Sequence, residues 1–313
     1  MPEIGSLALM VCTYRRPACF RAFVGSVARL NVPPGVRFSL VVADNNPVSA
    51  YDAYVRDLTA ALPFPTRYGH EPAAGYANAR NLALALALET DAEVLAFVDD
   101  DMLLEPGWLE GQLRSYRELA CDGVSGALVG HPPKFRHGQI RPVTGMGNTS
   151  FRRSWVAADG LALRFDPKFN KTGYEDQAFT RAASAAGMVI VYSDFPRVVD
   201  TAATGSDWQA EQMNRARIAA ITRRNRIVAL RHEKGYLPAL VSALASLGYG
   251  AKSAGLTGKR LALSALRNAD GAARARISAW KEWHKMIESF RGLAGDAIAR
   301  QDVRRSDEPG VGA

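Results

Sequence analysis

Val94-Leu95-Ala96-Phe97-Val98-Asp99-Asp100-Asp101 is the stretch that decides the fold. Five apolar residues in a row, too few for a helix, read as a strand covered on both faces, because a half-exposed strand would alternate apolar with polar. Strands of that kind belong to parallel sheets flanked by helices, and such sheets bind their ligands beyond the carboxyl ends of the strands. The three aspartates stand where a sheet of this class does its chemistry.

The same pattern extends in both directions. Leu7–Cys12 and Phe38–Ala43 are further near-continuous apolar runs. Ala18 to Leu30 between them has helical spacing and is stopped by Pro33-Pro34-Gly35. A helix Tyr51 to Leu62, a short strand Thr66–His70 and an Ala/Leu-rich helix Tyr76 to Glu89 lead up to the acidic strand. Beyond it come a helix Pro106 to Leu119, a strand Val124–Val129 and a Pro/Gly/His-rich loop His131 to Gly138, which is expected to face the acceptor. A strand Gly147–Arg152, a helix Asp176 to Ala186 and a strand Met188–Ser193 complete the unit. The predicted class is α/β: a mainly parallel, mixed sheet flanked by helices, with a helical appendage at the C-terminus.

Three consecutive carboxylates repel one another, and a bound cation offsets that cost. In an extended segment Asp99 and Asp101 face one side and Asp100 the other, so an Asp-x-Asp pair can meet one ligand. Mg²⁺ or Mn²⁺ takes one or two carboxylates and fills its shell with water and diphosphate oxygens. An acidic turn capping the next helix is the alternative. Gly173-Tyr174-Glu175-Asp176, a second acidic site, opens a predicted helix, where a carboxylate can serve as a cap or as a base that accepts a hydroxyl proton.

Taken in order, Val11-Cys12-Thr13-Tyr14-Arg15-Arg16-Pro17, Ala43-Asp44-Asn45-Asn46-Pro47 and Gly75-Tyr76-Ala77-Asn78-Ala79-Arg80-Asn81 precede the acidic strand. Pro106-Gly107-Trp108-Leu109, Gly147-Asn148-Thr149-Ser150-Phe151-Arg152-Arg153, Phe165-Asp166-Pro167 and Gly173-Tyr174-Glu175-Asp176 follow it. Over about residues 6–230 this series resembles glycosyltransferase family 2, inverting enzymes of the GT-A fold, and among them the succinoglycan-type exopolysaccharide glucosyltransferases. The resemblance implies that Thr13 and Arg15 line the nucleotide pocket, that Asp44 hydrogen-bonds the uracil edge and that Arg80 approaches the base. It implies Asp99 at the ribose or metal, Asp101 on a Mn²⁺ or Mg²⁺ ion at the diphosphate, Asp176 as catalytic base and Glu175 in support. It also implies a nucleotide-sugar donor, UDP-glucose first among UDP-sugars, and a saccharide acceptor, lipid-linked in the succinoglycan case. Two departures stand out. Tyr174 occupies a position that is glycine in many relatives, and the basic segment after the base is matched only loosely by Arg215, Arg217 or Thr222 to Arg226, so no diphosphate contact is assigned there.

Composition narrows the rest. A chain of 313 residues, 48% hydrophobic, can bury a large core, which excludes a disordered or fibrous protein. Cys12, Cys19 and Cys121 form no even framework and no metal spacing, so reduced thiols are expected. His70, His131, His137, His232 and His284 lack ligand-like spacing, and Trp108 reads as core, whereas Trp155 and Trp208 could pack or stack on a sugar. The net charge of +8 is uneven: residues 1–222 hold 22 Lys/Arg against 23 Asp/Glu, and residues 223–305 hold 17 against 6. The expected organisation is a catalytic domain over 1–222, its nucleotide half to about residue 101 and its acceptor half beyond. A basic helical region over 223–302 and a disordered tail over 303–313 follow.

In the basic region Leu237, Leu240, Val241, Leu244 and Leu247 share a helical stripe, and Trp280, Trp283, Ile287, Phe290 and Ala294 share another. Residues 236–300 could lie on an anionic membrane or pack on the catalytic domain. No apolar run reaches spanning length and no secretory signal is evident, so the chain is expected in the cytoplasm, free or on the cytoplasmic face of a membrane. Two rival functions remain. A sugar nucleotidyltransferase would need a glycine-rich loop after the first strand, and 13–17 contains no glycine. The other is an inactive sugar- or nucleic-acid-binding protein; intact Asp99, Asp101 and Asp176 argue against decay, and no nucleic-acid motif is recognised, so no nucleic-acid partner is expected.

Overall fold

In the computed structural model the described residues are 3–48, 51–129, 135–170, 173–201, 220, 223–228, 230–231, 234–265 and 269–294. His131, Trp208, Arg215, Arg217, Thr222, His232, residues 295–300 and the tail 303–313 lie outside them. The chain divides into two units: Met1–Asn170 with Glu175–Ala203, and Lys171–Tyr174 with Thr204–Ala313.

The first unit starts with β1 (Ser6–Thr13), α1 (Pro17–Val27), β2 (Arg37–Asp44), α2 (Tyr51–Thr59), β3 (Thr66–His70), α3 (Tyr76–Leu88) and β4 (Val94–Val98). It continues with β5 (Met102–Leu104), α4 (Trp108–Glu118), β6 (Gly123–Val129), β7 (Asn148–Arg152), α5 (Glu175–Ala185) and β8 (Ile190–Asp200). One eight-stranded sheet has the order β3-β2-β1-β4-β7-β6-β8-β5. β1 pairs in parallel with β2 and β4, and β2 with β3, whereas β7 runs antiparallel to both β4 and β6. Every residue of β4 is buried, as its unbroken apolar run requires.

β5 is absent from the sequence reading, since three residues carry no periodicity. It pairs antiparallel with the end of β8, Met102 opposite Asp200. Val98 and Met102 are linked by at most about 14 Å of chain, whereas four strand spacings in a flat sheet would be about 19 Å. The sheet must therefore curl, and its far edge returns to the carboxyl end of β4. Thr201, just past β8, donates from N and Oγ1 to the Asp101 carbonyl at 3.0 and 2.7 Å, which anchors the acidic turn.

β8 also runs past the predicted end at Ser193. Asp194 and Pro196 do not suit a regular ladder, but a register shift opposite Gly126/Ala127 absorbs them, as a β-bulge does, and the strand goes on to Asp200. Gly111 of α4 lies against this irregular segment: a Cβ there would stand 2.5 Å from the Phe195 carbonyl carbon. Trp108 is fully buried and donates from Nε1 to Asn148 Oδ1 at 3.0 Å, which confirms it as core. Trp155 packs partly buried against the core on the other face of the sheet.

The second unit contains α6 (Tyr236–Leu244), α7 (Leu247–Ala265) and α8 (Ala269–Ala294). The single helix expected over 236–250 is broken after Leu244, where Ala245 caps α6 and Ser246 is fully buried. Of the tryptophan stripe on α8, Trp280, Ile287 and Phe290 are half-buried, and Phe290 packs beside Ile227, Ala239 and Ala243. On α8 the buried positions include Ala275, Ala279, Glu282, Glu288 and Ser289, and Trp283 is exposed. Among the described residues no helix is long and apolar enough to cross a membrane.

Candidate active site

The acidic turn joins β4 to β5. It is a tight turn, closed by Met102 N donating to Asp99 O at 3.1 Å, and not the extended segment that alternation presupposed. The partition of side chains nevertheless follows the alternation. Asp100 is fully buried, and the Asp99 and Asp101 side chains keep 43% and 16% of their exposure. Burial pushes the Asp100 carboxyl up to about 7, although Arg16 opposes it.

Arg16 is the cation the sequence reading lacked. It pairs with Asp100 and donates from Nη1 to Asp101 Oδ2 at 2.7 Å. Burial by itself would lower its pKa, but Asp100, Asp101 and Asp99 reverse that and hold the guanidinium above its ordinary value. The available signal was electrostatic: three adjoining carboxylates need a partner, and an arginine closes the motif after β1.

A second arginine serves the other acids. Arg80, on the first turns of α3, pairs with the buried Glu175 and reaches Asp99 Oδ1 at 3.5 Å. The Asp99 carboxyl is raised, first by burial and then by Asp101 and Asp176, with Arg80 and Arg16 acting against the shift. Asp99, Asp101, Glu175 and Asp176 thus form one electrostatic group, although 77 positions separate its first and last members.

Asp176 lies in the first turn of α5, where a helix N-terminus favours a carboxylate, and its Oδ1 accepts from Gln177 N at 2.6 Å. The segment Gly145-Met146-Gly147 passes between the acids. A Cβ on Gly145 would be 3.1 Å from Asp176 Oδ2, and one on Gly147 would be 3.0 Å from Asp99 Oδ2. Thr180, one turn after Asp176, holds this segment in place: its hydroxyl donates to Thr144 O at 3.0 Å and accepts from Thr144 N at 3.1 Å. Gly145 belongs to no quoted motif, because a need for close backbone approach is invisible before the chain folds.

Thr13 and Asp44 are directly paired at the adjoining ends of β1 and β2. Asp44 is fully buried. Its Oδ1 accepts from Asn46 N and Nδ2 at 2.9 and 2.6 Å, and its Oδ2 accepts from Tyr68 Oη at 2.9 Å. Arg15 is exposed, with a left-handed φ of 51°, and donates from its backbone N to Asn46 Oδ1 at 2.7 Å. This is an uncommon conformation for a non-glycine residue, and such residues cluster at ligand sites. The α3 motif is a socket. Asn81 exchanges hydrogen bonds with the Phe165 backbone, and Asn78 does so with the Asn170 side chain, which leaves Arg80 directed at the acids.

Among the described residues no three His, Cys, Asp or Glu side chains form a metal cage. Asp99 and Asp101 supply one or two carboxylates, the number that Mg²⁺ or Mn²⁺ takes when a diphosphate completes its shell, so the donor set fits such an ion. A cleft of about 1240 Å³ lies elsewhere, lined by Ile4, Gly5, Pro33, Val36, Arg114 and Phe195 among others. It sits at the amino ends of β1 and β2, the wrong end of a parallel sheet for a donor site. The described histidines have local roles: His70 Nε2 bonds Asn46 O at 2.7 Å, His137 lies against Phe195, and His284 stacks on Trp280.

A curled mixed sheet with acids at the carboxyl end of a central strand is the architecture of the GT-A glycosyltransferases, and the comparisons agree. Residues 8–174 match the family described as "Glycosyl transferase family 2", and this chain belongs to that family. It is 33% identical over 199 residues to "Succinoglycan biosynthesis protein ExoM" of Rhizobium meliloti (strain 1021), an alignment covering 58% of this chain and 62% of that relative. The fold is shared with "Mannosyltransferase PcManGT from Pyrobaculum calidifontis in complex with GDP-Man and Mn2+", at TM-score 0.58 and 18% identity over 94% of this chain and 87% of that one. The structure of S. aureus TarS is similar at TM-score 0.50 and 15% identity, covering 87% of this chain and 55% of that chain.

Proposed function

We propose that this chain transfers a sugar from a nucleotide-sugar donor to a saccharide hydroxyl with inversion at the anomeric carbon. The observation that carries the reading is the convergence of Asp99, Asp101, Glu175 and Asp176 with Arg16 and Arg80 around Gly145–Gly147. Two carboxylates beside a partly open turn suit a divalent cation that would meet the donor diphosphate, and a third at a helix start suits the acceptor hydroxyl. The relative named for succinoglycan biosynthesis supports a saccharide acceptor in exopolysaccharide synthesis; in this reading the donor is a UDP-sugar, UDP-glucose first, and the acceptor a lipid-linked saccharide at the cytoplasmic side of a membrane.

Thr13, Arg15 and Asp44 line the base pocket in this proposal, and Asp44 releases Asn46 or Tyr68 to meet the uracil edge. Arg80 closes that pocket beside Asp99. Asp101, with Asp99, would hold Mn²⁺ or Mg²⁺, which when bound neutralises charge on the departing diphosphate. Arg16 is a positioning residue that keeps Asp101 aimed from the turn. Asp176 takes the acceptor proton as the hydroxyl oxygen bonds to the anomeric carbon and the bond to the diphosphate oxygen breaks on the opposite face. Glu175 supports it by anchoring Arg80.

The test is Asp176→Asn, measured by donor turnover and by calorimetric UDP binding with Mn²⁺. Turnover should fall by about 10²-fold or more with binding kept, the usual scale of a lost general base. Near-normal turnover, or a product of retained configuration, would overturn the assignment, and release of diphosphate in place of nucleoside diphosphate would indicate a nucleotidyltransferase.

A further inference from the structure

In the second unit a stripe of large apolar side chains stands at the surface of α6. α6 turns its small side chains inward: Ala239 and Ala243 are fully buried against Ile227. Of its larger ones Leu240 is half-buried against that cluster, whereas Leu237 is 69%, Val241 60% and Leu244 46% exposed. Spaced i, i+4 and i+7, these three form one stripe, and Tyr236 and Leu247 at its two ends are exposed as well.

The interior also holds polar groups beside Ile227, Ala239 and Ala243. Arg223 donates to Ser242 O at 2.7 Å, Ser246 Oγ at 2.9 Å and Ser289 Oγ at 3.0 Å, and Ser246 Oγ donates to Ser289 Oγ at 2.8 Å. Glu282 and Glu288, with side chains 8% and 9% exposed, are withdrawn into ion pairs with Lys285 and Arg291. Arg226, Lys234, Lys259, Arg274 and Arg276 remain exposed. The outer surface of this unit therefore combines large apolar groups with exposed basic side chains. In water that arrangement leaves apolar area solvated, whereas at a lipid headgroup boundary both components find partners.

We propose that α6 lies in the plane of an anionic membrane surface, with Leu237, Val241 and Leu244 inserted among the upper acyl chains and Lys234 at the lipid phosphates. Nine residues at 1.5 Å each make a helix of about 14 Å, which can lie in the interface and cannot span it. This docking goes beyond the transfer reaction and depends on none of the acids that would carry it.

The experiment is flotation of the full chain with phosphatidylcholine vesicles with and without phosphatidylglycerol, at low and high salt. The protein should float with the anionic vesicles and detach as salt rises. Leu237→Ser/Val241→Ser/Leu244→Ser should weaken flotation at least about tenfold, since the inserted apolar area supplies much of such binding. All three side chains are exposed, so thermal unfolding should be unchanged; Leu237→Ser alone should move binding the same way. Turnover of a soluble acceptor should also be unchanged, which separates this docking from the transfer assignment. Failure of the wild type to float, or equal flotation of the triple variant, overturns the proposal. So does a wild-type dimer that the triple variant dissolves without any vesicle binding, because a second copy would then be covering the stripe.

Discussion

Arg80→Met tests the electrostatic core of the site. The Glu175 side chain is 4% exposed and that of Arg80 11%, so this ion pair is withdrawn from water on both sides. Removing the guanidinium leaves a buried carboxylate with no cation, which costs on the order of 3–5 kcal/mol. Asp99 also loses a partner at 3.5 Å, but at 43% exposure solvent screens most of that loss. Against a total stability of about 5–15 kcal/mol, the single variant should be severely weakened. Arg80→Met/Glu175→Gln removes both charges and should recover about half or more of the loss, since a buried pair replaced as a unit is often close to neutral. Urea unfolding of the wild type, both single variants and the double variant gives the coupling energy directly. A cost below about 1 kcal/mol for Arg80→Met, or a double variant as unstable as Arg80→Met alone, would refute the reasoning.

Gly111→Ala should destabilise by about 1–3 kcal/mol although alanine is the better helix former, because its methyl would stand 2.5 Å from the Phe195 backbone; a variant with a raised Tm would contradict this. Gly147→Ala should depress turnover with little change in Tm, since its methyl would press on Asp99 Oδ2 from 3.0 Å, and unchanged kcat would count against the placement of that loop at the chemistry. Burial pushes the Cys121 thiol from 9.0 up to about 12. The unfolded chain therefore loses this proton first, and stability should fall as pH rises from about 9 to 12, by up to about 1.4 kcal/mol per unit from this group. Cys121→Ser should flatten that slope in denaturant titrations, and an identical slope would show that the thiol is not responsible.

What the sequence determined by itself was whatever rests on local pattern. Unbroken apolar runs separated by helical spacing specify covered strands, and β4 begins and ends where its run does. Asp99, Asp101 and Asp176 could be named because charge at a strand end or a helix start is a local feature with a local cost. Tertiary structure alone decided the partners. β5 exists only because β8 curls round to meet it. Arg16 and Arg80 become parts of the acid cluster only when β1 and α3 are set beside β4, and Gly145 matters only once Asp176 is packed against it. The C-terminal helices make the same point in reverse. Spacing located the stripe Leu237, Leu240, Val241, Leu244 and Leu247, but helical periodicity defines a face without saying which way it turns, and here Leu240 packs half-buried beside Ile227 while the other four are exposed. Local free energies act over a few residues and can be read from a few residues, whereas the pairing of charges, edges and faces depends on which distant groups share a volume.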